Sequence, residues 1–305
     1  MSHSGAVQIT SIQLFCKAAE LSSFSMAAEV AGVTPAAVSR SVGRIEERLG
    51  VRLFARSTRK LRLTEDGQLY YEQCRQALTQ IEDVERAITG RQTVPTGTLR
   101  ISAPTTYAHF RLLPLLPRFT ATYPKINIEI DISNRNIDFV EEGFDLAIRL
   151  GTPKDSRLVA RKLEDASMGV FAAPQYLQRR GEPKDLDELR EHDSIQFVLP
   201  STGRVMPWLF KQNGNEVNYS ADSGVRCSGD VLGCVTYAKA GGGLFQTYHF
   251  IVAEELRQGK LCEVLQDLSG CSRPFSILYP QNRHLSVRVR AFVEFMAKEI
   301  VQAKV

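Results

Sequence analysis

The sequence predicts an α+β multidomain protein in which a small winged helix-turn-helix domain is followed by one long helix and a larger α/β region. Three observations support this prediction. Residues 24–49 have the pattern of helix, glycine turn and helix, an apolar repeat of helical spacing begins near residue 65, and strands alternate with helices from residue 98 onward. With 305 residues, of which 43% are hydrophobic and 24% charged, the chain can bury more than one core.

Residues 24–49, FSMAAEVAGVTPAAVSRSVGRIEERL, contain the local signals of two helices joined by a turn. Ala28 is a small contact where two helices cross, and Gly32 can adopt a positive φ in the turn. Thr34 followed by Pro35 is the pattern of an N-cap with proline at the first helical position. An apolar stripe at spacings of four, three and four predicts the buried face of the second helix: Val38, Val42, Ile45 and Leu49.

The other face of the second helix carries short side chains near its N-terminus, together with arginine. Short side chains let a helix enter the major groove of DNA, and arginine can then bind guanine or phosphate. The candidate DNA-binding residues of the two helices are Ser25, Thr34, Pro35, Ala36, Ala37, Ser39, Arg40 and Arg44.

An amphipathic helix that never meets DNA is the alternative, and the charge distribution weakens it. Residues 1–64 contain nine Lys or Arg against four Asp or Glu, a balance of +5. Residues 65–305 contain 29 against 30, a balance of −1. The basic character is therefore confined to the predicted DNA-binding region.

Residues 51–54 and 60–63 show the alternation of two short strands, and residues 55–59 join them. This pattern predicts a wing beside the second helix. Its basic side chains would lie along the sugar-phosphate backbone and give salt-dependent affinity. A solvated hairpin is the alternative, and the matching charge sign of the neighbouring helix favours double-stranded DNA as the partner. The candidate wing contacts are Arg52, Arg56, Arg59 and Lys60.

Residues 7–64 resemble the N-terminal domain of LysR-type transcriptional regulators through the ungapped stretch SFSMAAEVAGVTPAAVSRSVGRIEERLGVRLFARSTRKLRLTEDG. The resemblance implies that Ser39, Arg40, Arg44 and Arg56 lie at the DNA, and that residues 64–67 open a linker helix. Two further stretches, AGGGLFQTYHFIVAEELRQGKLCEVL and ILYPQNRHLSVRVRAFVEFM, are similar to the CrgA-like subgroup. The DNA-binding domain is predicted at residues 1–64.

A linker helix is predicted at residues 65–90, with Thr64 as its cap, an acidic first turn and Gly90 at its end. Its apolar seam predicts pairing with a second such helix, hence a homodimer on a pseudo-palindromic site. The alternative is a helix that packs on its own domain. A homotetramer and a contact with RNA polymerase are implied by the resemblance alone. The seam consists of Tyr71, Cys74, Leu78, Ile81, Glu85 and Ile88, with Val84 beside it.

Residues 91–97, RQTVPTG, lack hydrophobic periodicity and contain proline and glycine, which predicts a hinge. Beyond the hinge, repeated strand-helix-strand units predict a mostly parallel sheet with ligands at the carboxyl ends of its strands. The predicted strands are residues 99–102, 126–132 and 145–150, and residues 110–122 are predicted to be helical. The resemblance to the family implies a further strand at 274–279 and a helix at 286–301, through which the chain returns to the first part of this region.

By resemblance, residues 98–305 form an effector-binding domain of two α/β lobes, similar to periplasmic binding proteins, with the second lobe inserted into the first. A cleft between the lobes would hold a small-molecule effector. The predicted bounds are residues 98–165 and 269–305 for lobe I and residues 166–268 for lobe II.

Polar residues at the predicted strand ends are candidates for effector contact. At 102–106, hydroxyl and backbone N–H groups at a helix start can bind a carboxylate or phosphate, although ordinary helix capping explains them equally well. Where many relatives have aliphatic residues and then proline, this chain has a glutamine and a threonine that can bind a ligand. The candidates are Ser102, Thr105, Thr106, Asn134, Arg149, Gly151, Ser228, Asp230, Gln246 and Thr247.

Arg149 has two interpretations that the sequence leaves open. Its guanidinium can neutralise an anionic effector, or it can pair with Asp145 or Glu142. The first interpretation predicts a small carboxylate or an aromatic acid as the effector.

No cofactor, metal or catalytic centre is predicted. The glycines at 241–243 follow a helix and lack phosphate-loop spacing, and the six cysteines include no C-x-x-C pair. The cysteines are expected to be reduced and mostly buried, and a peroxide-sensing pair of Cys227 and Cys234 is the less favoured alternative. The five histidines are scattered, and neither a G-x-S-x-G nor an H-E-x-x-H motif occurs.

A second class of protein, the exported solute-binding protein of a transporter, fits residues 98–305 but does not explain the wing. Residues 1–50 contain no apolar segment of the kind that signals export, and no run of about 18 apolar residues occurs. The sequence therefore predicts a cytoplasmic, ligand-responsive DNA-binding regulator.

Overall fold

The computed structural model describes residues 9–55, 61–88, 94–151, 157–200, 202–221, 224–281 and 285–302. The chain divides into two compact units, with the division after Thr93. In the first unit, three helices are followed by a two-stranded antiparallel sheet and a long helix. Their bounds are α1 Ile9–Leu21, α2 Phe24–Ala31, α3 Pro35–Leu49, β1 Phe54–Ala55, β2 Arg62–Leu63 and α4 Glu65–Ile88.

The ends of α2 and α3 are fixed by the residues that the sequence indicated. Ser23 Oγ accepts a hydrogen bond of 3.3 Å from the Met26 N–H, and Thr34 Oγ1 accepts one of 3.2 Å from the Ala37 N–H. Gly32 ends α2 with φ +66°, a conformation that costs glycine little. The predicted helix, turn and helix are therefore confirmed.

The apolar stripe of α3 is buried at Val38, Val42 and Ile45, as predicted. Leu49 was expected to continue the stripe, but it is 38% exposed, so this part of the prediction was wrong. Leu49 is the last helical residue before Gly50, where the chain turns away from the core. Helical spacing alone does not indicate where a helix leaves the core.

Helix α4 starts at a junction with the wing. Thr64 Oγ1 accepts a hydrogen bond of 2.9 Å from the Gly67 N–H and donates one of 2.6 Å to the Arg52 carbonyl oxygen. The Thr64 N–H donates to the Leu53 carbonyl oxygen at 3.0 Å. A Cβ on Gly67 would lie 1.9 Å from that same oxygen, so only glycine fits against the Leu53 backbone.

The first half of the predicted dimer seam belongs to the core of its own unit. Cys74 and Leu78 are 8% and 6% exposed, and they pack in one cluster with residues of α1 while Tyr71 packs at its edge. The assignment of these three residues to a free pairing face was wrong, because helical periodicity does not identify the partner of an apolar face. Ile81 and Glu85 are exposed, whereas the side chains of Val84 and Ile88, with Gly90, lie outside the described part.

The second unit contains a seven-stranded sheet in the order β11-β6-β13-β5-β3-β4, with β12 also on β6, and two further two-stranded sheets. The neighbours β3, β4 and β5 are parallel, whereas β13 runs antiparallel to β5 and β6. The strands are β3 Gly97–Ala103, β4 Ile126–Ile132, β5 Leu146–Leu150, β6 Leu158–Ala172, β7 Gln196–Val198, β8 Trp208–Gln212, β9 Asn215–Tyr219, β10 Arg226–Ser228, β11 Phe245–Tyr248, β12 Cys262–Val264 and β13 Ser272–Pro280.

Most helices of this unit are short. A short 3-10 turn, Gln266–Leu268, precedes β13, and a π-helical segment, Ala108–Leu112, joins α5 to α6. The predicted helix at 110–122 therefore begins earlier, directly after Pro104. The helices are α5 Thr105–Tyr107, α6 Leu113–Thr122, α7 Phe139–Glu142, α8 Pro174–Arg180, α9 Leu186–Leu189, α10 Val231–Lys239, α11 His249–Arg257 and α12 Val287–Gln302.

Strand β6 is shared between the two halves of this unit. Its first part pairs with β13 from Leu158 to Ser167, and its end pairs with β11 and β12 from Met168 to Ala172. The chain enters one half through β6 and returns from it through β13. The predicted boundary at 165/166 falls inside β6, and the one at 268/269 falls just before β13. Among the described residues, the apolar helices are too short and the long helices too polar to cross a membrane.

Candidate functional site

The face of α3 directed away from the core carries small and basic side chains. Arg44 donates a hydrogen bond of 3.3 Å to Ser41 Oγ, which holds its guanidinium along the helix. The predicted contact residues that are exposed here are Ser25 on α2 and Thr34, Pro35, Ala36, Ser39, Arg40 and Arg44, with Ala37 half-buried. The structure therefore places these predicted residues at the surface, and those of α3 lie on one helix.

Gly43 lies three residues after Arg40, on the same side of α3. A Cβ built at this position would meet nothing within 4 Å, so packing within the chain does not require glycine. A glycine inside a helix costs about 1 kcal/mol relative to alanine. The missing side chain leaves the helix backbone open to a close approach from outside.

Glu46, on the buried side of α3, holds the start of the wing. Its Oε1 accepts hydrogen bonds from the Leu53 N–H at 2.8 Å and the Phe54 N–H at 3.2 Å, and its Oε2 pairs with Arg52 at 2.7 Å. Burial by itself would raise the pKa of Glu46, but the hydrogen bonds from Arg52 and the two N–H groups outweigh it and lower the pKa. No local pattern in the sequence indicates this role of Glu46.

The ion pair with Glu46 gives Arg52 a role within the chain in addition to the predicted contact with phosphate. Arg52 is predicted to contact phosphate, and its side chain is 60% exposed. One nitrogen of its guanidinium, Nη1, is bonded to Glu46 Oε2. On β2, Arg62 pairs in register with Ala55, and both are exposed. The other predicted wing contacts, Arg56, Arg59 and Lys60, lie outside the described residues.

The second unit contains a cavity of about 600 Å³ between the ends of several strands. Its walls are mostly apolar, and a few polar side chains interrupt them. The polar lining residues are Thr106, Asn134, Asn136, Arg149, Gln246 and Thr247. The apolar lining residues include Phe139, Met168, Phe197, Met206, Trp208, Phe245, Tyr248 and Phe275.

Arg149 is the cation of this cavity, and it is held without a carboxylate partner. Its guanidinium donates to Ser102 Oγ at 2.7 Å and to the carbonyl oxygens of Ile148 at 2.7 Å and Arg135 at 3.1 Å. Burial lowers the pKa of Arg149 to about 10. Among the described residues, no carboxylate forms an ion pair with it.

The two predicted alternative partners of Arg149 are bound elsewhere. Asp145 pairs with Arg288 at 2.9 Å and accepts the Arg100 N–H at 2.9 Å, while Glu142 pairs with Arg135. The interpretation of Arg149 as a structural ion pair with either residue was therefore wrong. Asp131 and Glu142 are near enough to act on the pKa of Arg149 in the direction opposite to burial, but neither forms an ion pair with it, and a half-buried guanidinium of this kind favours binding of an external anion.

Ser102 was predicted to touch the effector, but it does not line the cavity. Its side chain is fully buried behind Arg149, and its Oγ also donates to Asp131 Oδ2 at 3.3 Å. Ser102 therefore orients the guanidinium and links it to a carboxylate one step further from the cavity. A polar residue at a strand end can face either the ligand or the layer behind it, and the sequence does not distinguish the two.

Asn134 lies at the cavity wall and bridges two segments that are distant in sequence. Its Oδ1 accepts the Thr105 N–H at 3.2 Å, and its Nδ2 donates to the Gly229 carbonyl oxygen at 2.9 Å. Thr106 lines the cavity beside it, whereas Thr105 does not. The structure thus brings Thr106, Asn134 and Arg149 to one cavity.

Three other predicted contacts lie outside the cavity lining. Asp230 caps α10 by accepting the Leu232 N–H at 2.9 Å, which is the ordinary role of aspartate at a helix start. Ser228 is exposed on β10, and Gly151 has φ +82° in the turn after β5. None of the three is among the residues that line the cavity, although Val231 next to Asp230 is.

Gln246 and Thr247 line the cavity and are 7% and 3% exposed. Both polar atoms of the Gln246 side chain are bonded to the backbone of Leu209, so its amide holds a neighbouring segment of the chain, and its contact with an effector stays a prediction. Met206, Pro207 and Trp208 also line the cavity, and their sequence pattern does not predict this position. Apolar residues of a cavity wall and of a solid core have the same sequence pattern.

All six cysteines are free thiols, four of them buried. Cys227 and Cys234 lie on β10 and α10. Burial, followed by the charge and the hydrogen bond of Cys227, raises the pKa of the Cys234 thiol well above its usual range. A raised pKa keeps a thiol protonated and slows its reaction with oxidants. Within the described ranges, no cluster of metal-ligating side chains is found.

Two family models match most of the chain. The model described as "Bacterial regulatory helix-turn-helix protein, lysR family" matches residues 9–68, and the model described as "LysR substrate binding domain" matches residues 92–300. The chain is also similar to an HTH-type transcriptional repressor of Pseudomonas aeruginosa, with 35% identity over 95% of this chain and 91% of the relative.

Two solved structures are similar over nearly the full length. CrgA, a LysR-type transcriptional regulator from Neisseria meningitidis, is 30% identical with a TM-score of 0.58, covering 95% of this chain and 98% of that one. The Vibrio cholerae virulence activator AphB is 27% identical with a TM-score of 0.58, covering 95% and 99%. The helix-turn-helix unit followed by a two-lobed regulatory domain is therefore shared with these proteins.

Proposed function

Since the chain belongs to the LysR family of bacterial transcriptional regulators, we propose that it controls a promoter through paired recognition helices and responds to an anionic effector with an apolar body. The family assignment carries the general function: DNA binding, small-molecule response and oligomerisation. The single observation that supports the proposed effector class is the half-buried guanidinium of Arg149, which lines a mostly apolar cavity and is hydrogen-bonded to a hydroxyl and two carbonyl oxygens.

Double-stranded DNA would bind the exposed face of α3. Ser39 and Arg40 would read base edges, Arg44 and Arg52 would contact phosphates, and Gly43 would let the helix backbone approach the duplex closely. Two chains would present two such helices to a dyad-symmetric site. The wing residues Arg56, Arg59 and Lys60 remain proposed backbone contacts.

The effector would place a carboxylate or another anionic group at Arg149, with Thr106 nearby as a hydrogen-bonding side chain and Asn134 in the same wall. Its body would lie against the aromatic and aliphatic walls. A ring suits these walls, because it offers a large apolar contact area in a compact shape. Short aliphatic anions would leave most of the 600 Å³ empty. An aromatic acid therefore fits better than a small carboxylate such as acetate.

A homodimer, assembled further into a homotetramer, is the proposed state on DNA. Because Tyr71, Cys74 and Leu78 are used within their own unit, the pairing face of α4 would be built from Leu69, Ile81 and the other exposed residues between them. Effector binding would change the angle between the lobes and, through it, the spacing of the recognition helices and the access of RNA polymerase. The proposed site of action is the cytoplasm.

The proposed effector class is tested by calorimetric titration of the purified full-length chain with acetate, benzoate and 2-naphthoate. We expect affinity to rise in that order and to fall at least tenfold in Arg149→Met, which keeps an unbranched apolar stem but removes the charge. Arg190→Met, at an exposed arginine of lobe II, is the control and should bind as the wild type does. Equal affinities of the wild type and Arg149→Met for all three acids would refute the proposal.

A further inference from the structure

One wall of the cavity belongs to a hairpin whose backbone is hydrogen-bonded to β11 of the central sheet by the side chain of Gln246. The hairpin consists of β8 and β9, and Trp208 at its start lines the cavity at 5% exposure. Gln246 Oε1 accepts the Leu209 N–H at 2.7 Å, and Gln246 Nε2 donates to the Leu209 carbonyl oxygen at 2.7 Å. Both backbone groups of the residue after Trp208 are thus held by one amide.

This contact is geometrically equivalent to one rung of a sheet. In an antiparallel pair, alternate residues direct their backbone groups to opposite edges. Leu209 is opposite Asn218 of β9 in register, and its own N–H and C=O are the groups that Gln246 binds. Gln246 in turn lies on β11, which pairs with the shared strand β6. Gln246 therefore joins the backbone next to Trp208 to a strand that is paired with β6, in addition to the packing of Trp208 in the same buried cluster as Val170 and Ala172 of β6.

We propose that Gln246 is a positioning residue that determines effector specificity by holding Trp208 as a fixed cavity wall, without itself binding the effector. The proposal rests on the cavity being the effector site, as argued above. An aliphatic residue at 246 would leave the N–H and C=O of Leu209 unpaired in a largely buried position. The wall would then move to satisfy them, and the width of the cavity would no longer be defined.

Other contacts keep the hairpin folded when this pair is lost, so the effect is a displacement. Trp208, Phe210 and Tyr219 pack together with ring centroids 6.0 to 6.4 Å apart. Arg273 also donates to the Pro207 carbonyl oxygen at 3.4 Å. Substitution of Gln246 therefore leaves a folded domain in which Trp208 keeps its packing in the buried cluster but the backbone of Leu209 loses its partner.

The chain provides its own reporter for this test, because Trp208 is its single tryptophan. Emission spectra and acrylamide quenching are measured on the ligand-free full-length protein. In Gln246→Met, which keeps the volume but removes both hydrogen bonds, we expect a red shift of several nanometres and roughly twofold stronger quenching, since the wall opens locally. Gln212→Met, the same change at an exposed position of β8, the strand that contains Trp208, should leave both unchanged.

A second variant remains informative if Gln246→Met does not fold. In Gln246→Glu, a protonated carboxyl can accept from the Leu209 N–H and donate to the Leu209 carbonyl oxygen, whereas the ionised form can only accept. The Trp208 emission of this variant should match the wild type at acidic pH and shift to the red as the pH rises. The wild-type emission should stay constant over the same range.

Specificity is tested by calorimetry with benzoate and 2-naphthoate. We expect Gln246→Met to bind 2-naphthoate roughly tenfold more weakly and to lose most of the preference for it over benzoate. Unchanged Trp208 emission in Gln246→Met, or a changed emission with unchanged preference, would overturn the proposal. If the wild type binds neither acid, the effector class proposed above is wrong, while the spectra still decide whether Gln246 holds the wall.

Discussion

The side-chain amide of Asn134 donates a hydrogen bond of 2.9 Å to the carbonyl oxygen of Gly229, and so connects the end of β4 with the segment between β10 and α10. Gly229 has φ +86°, a conformation that turns its carbonyl toward Asn134 and that other residues adopt only with strain. By the predicted bounds, Asn134 belongs to lobe I and Gly229 to lobe II. The contact is therefore a direct link between the two sides of the cavity.

We expect Asn134→Ala to weaken this link by about 1 kcal/mol, the usual net value of one hydrogen bond. Hydrogen–deuterium exchange should accelerate in residues 227–231, where α10 begins, without a change in the exchange of β9. Asn136→Ala, which removes an amide from the same cavity wall, is the matched control. Identical exchange in the two variants would show that the Asn134 contact does not restrain the lobes.

The lowered pKa of Glu46 gives the wing a defined dependence on pH. Because the folded-state pKa lies below its ordinary value of 4.5, the stabilisation is complete above that value and is lost as the pH falls through the folded pKa. Corrected amide exchange at Leu53 and Phe54 should therefore accelerate in acid. Glu46→Gln should remove that acid response and weaken the wing by about 1 kcal/mol at neutral pH.

Glu47→Gln is the control for this measurement, because Glu47 is the exposed neighbour of Glu46 on α3. In Glu47→Gln, amide exchange at Leu53 and Phe54 should match that of the wild type at every pH. An acid response that persists in Glu46→Gln would mean that another group controls the wing.

Arg40 and Arg52 should differ in what they contribute to DNA binding. We expect Arg40→Ala to abolish sequence preference, at a cost of about 1–3 kcal/mol on the specific site. Arg52→Ala should lower affinity on all sequences and reduce the salt slope by about one, because it removes one phosphate contact. Binding isotherms on specific and random duplexes over a salt series distinguish the two. Parallel losses on both duplexes for both variants would contradict this division.

Gly43 and Gly32 should respond oppositely to alanine. Gly43 has helical geometry and open space, so Gly43→Ala should stabilise α3 by about 1 kcal/mol while weakening DNA binding. Gly32 has φ +66°, so Gly32→Ala should destabilise the same unit. Thermal unfolding and duplex binding are measured on both variants. If Gly43→Ala binds DNA as well as the wild type, no close backbone approach occurs there.

Much of the first unit could be predicted because its signals are local. Gly32 ends α2 and Thr34 begins α3 through contacts with residues only a few positions away. The spacing of Val38, Val42 and Ile45 follows from helical geometry alone. Leu49 has the same spacing and is exposed, because its environment depends on the direction that the chain takes after Gly50. The direction of the chain after Gly50 cannot be predicted from local sequence signals.

The cavity was only partly predictable, since its polar residues come from strand ends but their orientation is a tertiary property. Ser102 and Arg149 were both placed at strand ends, yet only Arg149 faces the cavity while Ser102 lies behind it. Gln246 was identified as an unusual polar residue, but its partner, Leu209, is 37 residues away in the sequence. No spacing rule connects them.

The close contact between Gly67 and the Leu53 carbonyl, with Cys74 and Leu78 buried further along α4, has a practical consequence for protein engineering. Half of the linker helix is part of the winged unit, so a hybrid regulator cut at the end of the wing would lose part of its core. A functional exchange of promoter specificity between relatives should instead join the two parents beyond Leu78. The transplanted module then consists of the winged domain and the first half of α4, which completes its core.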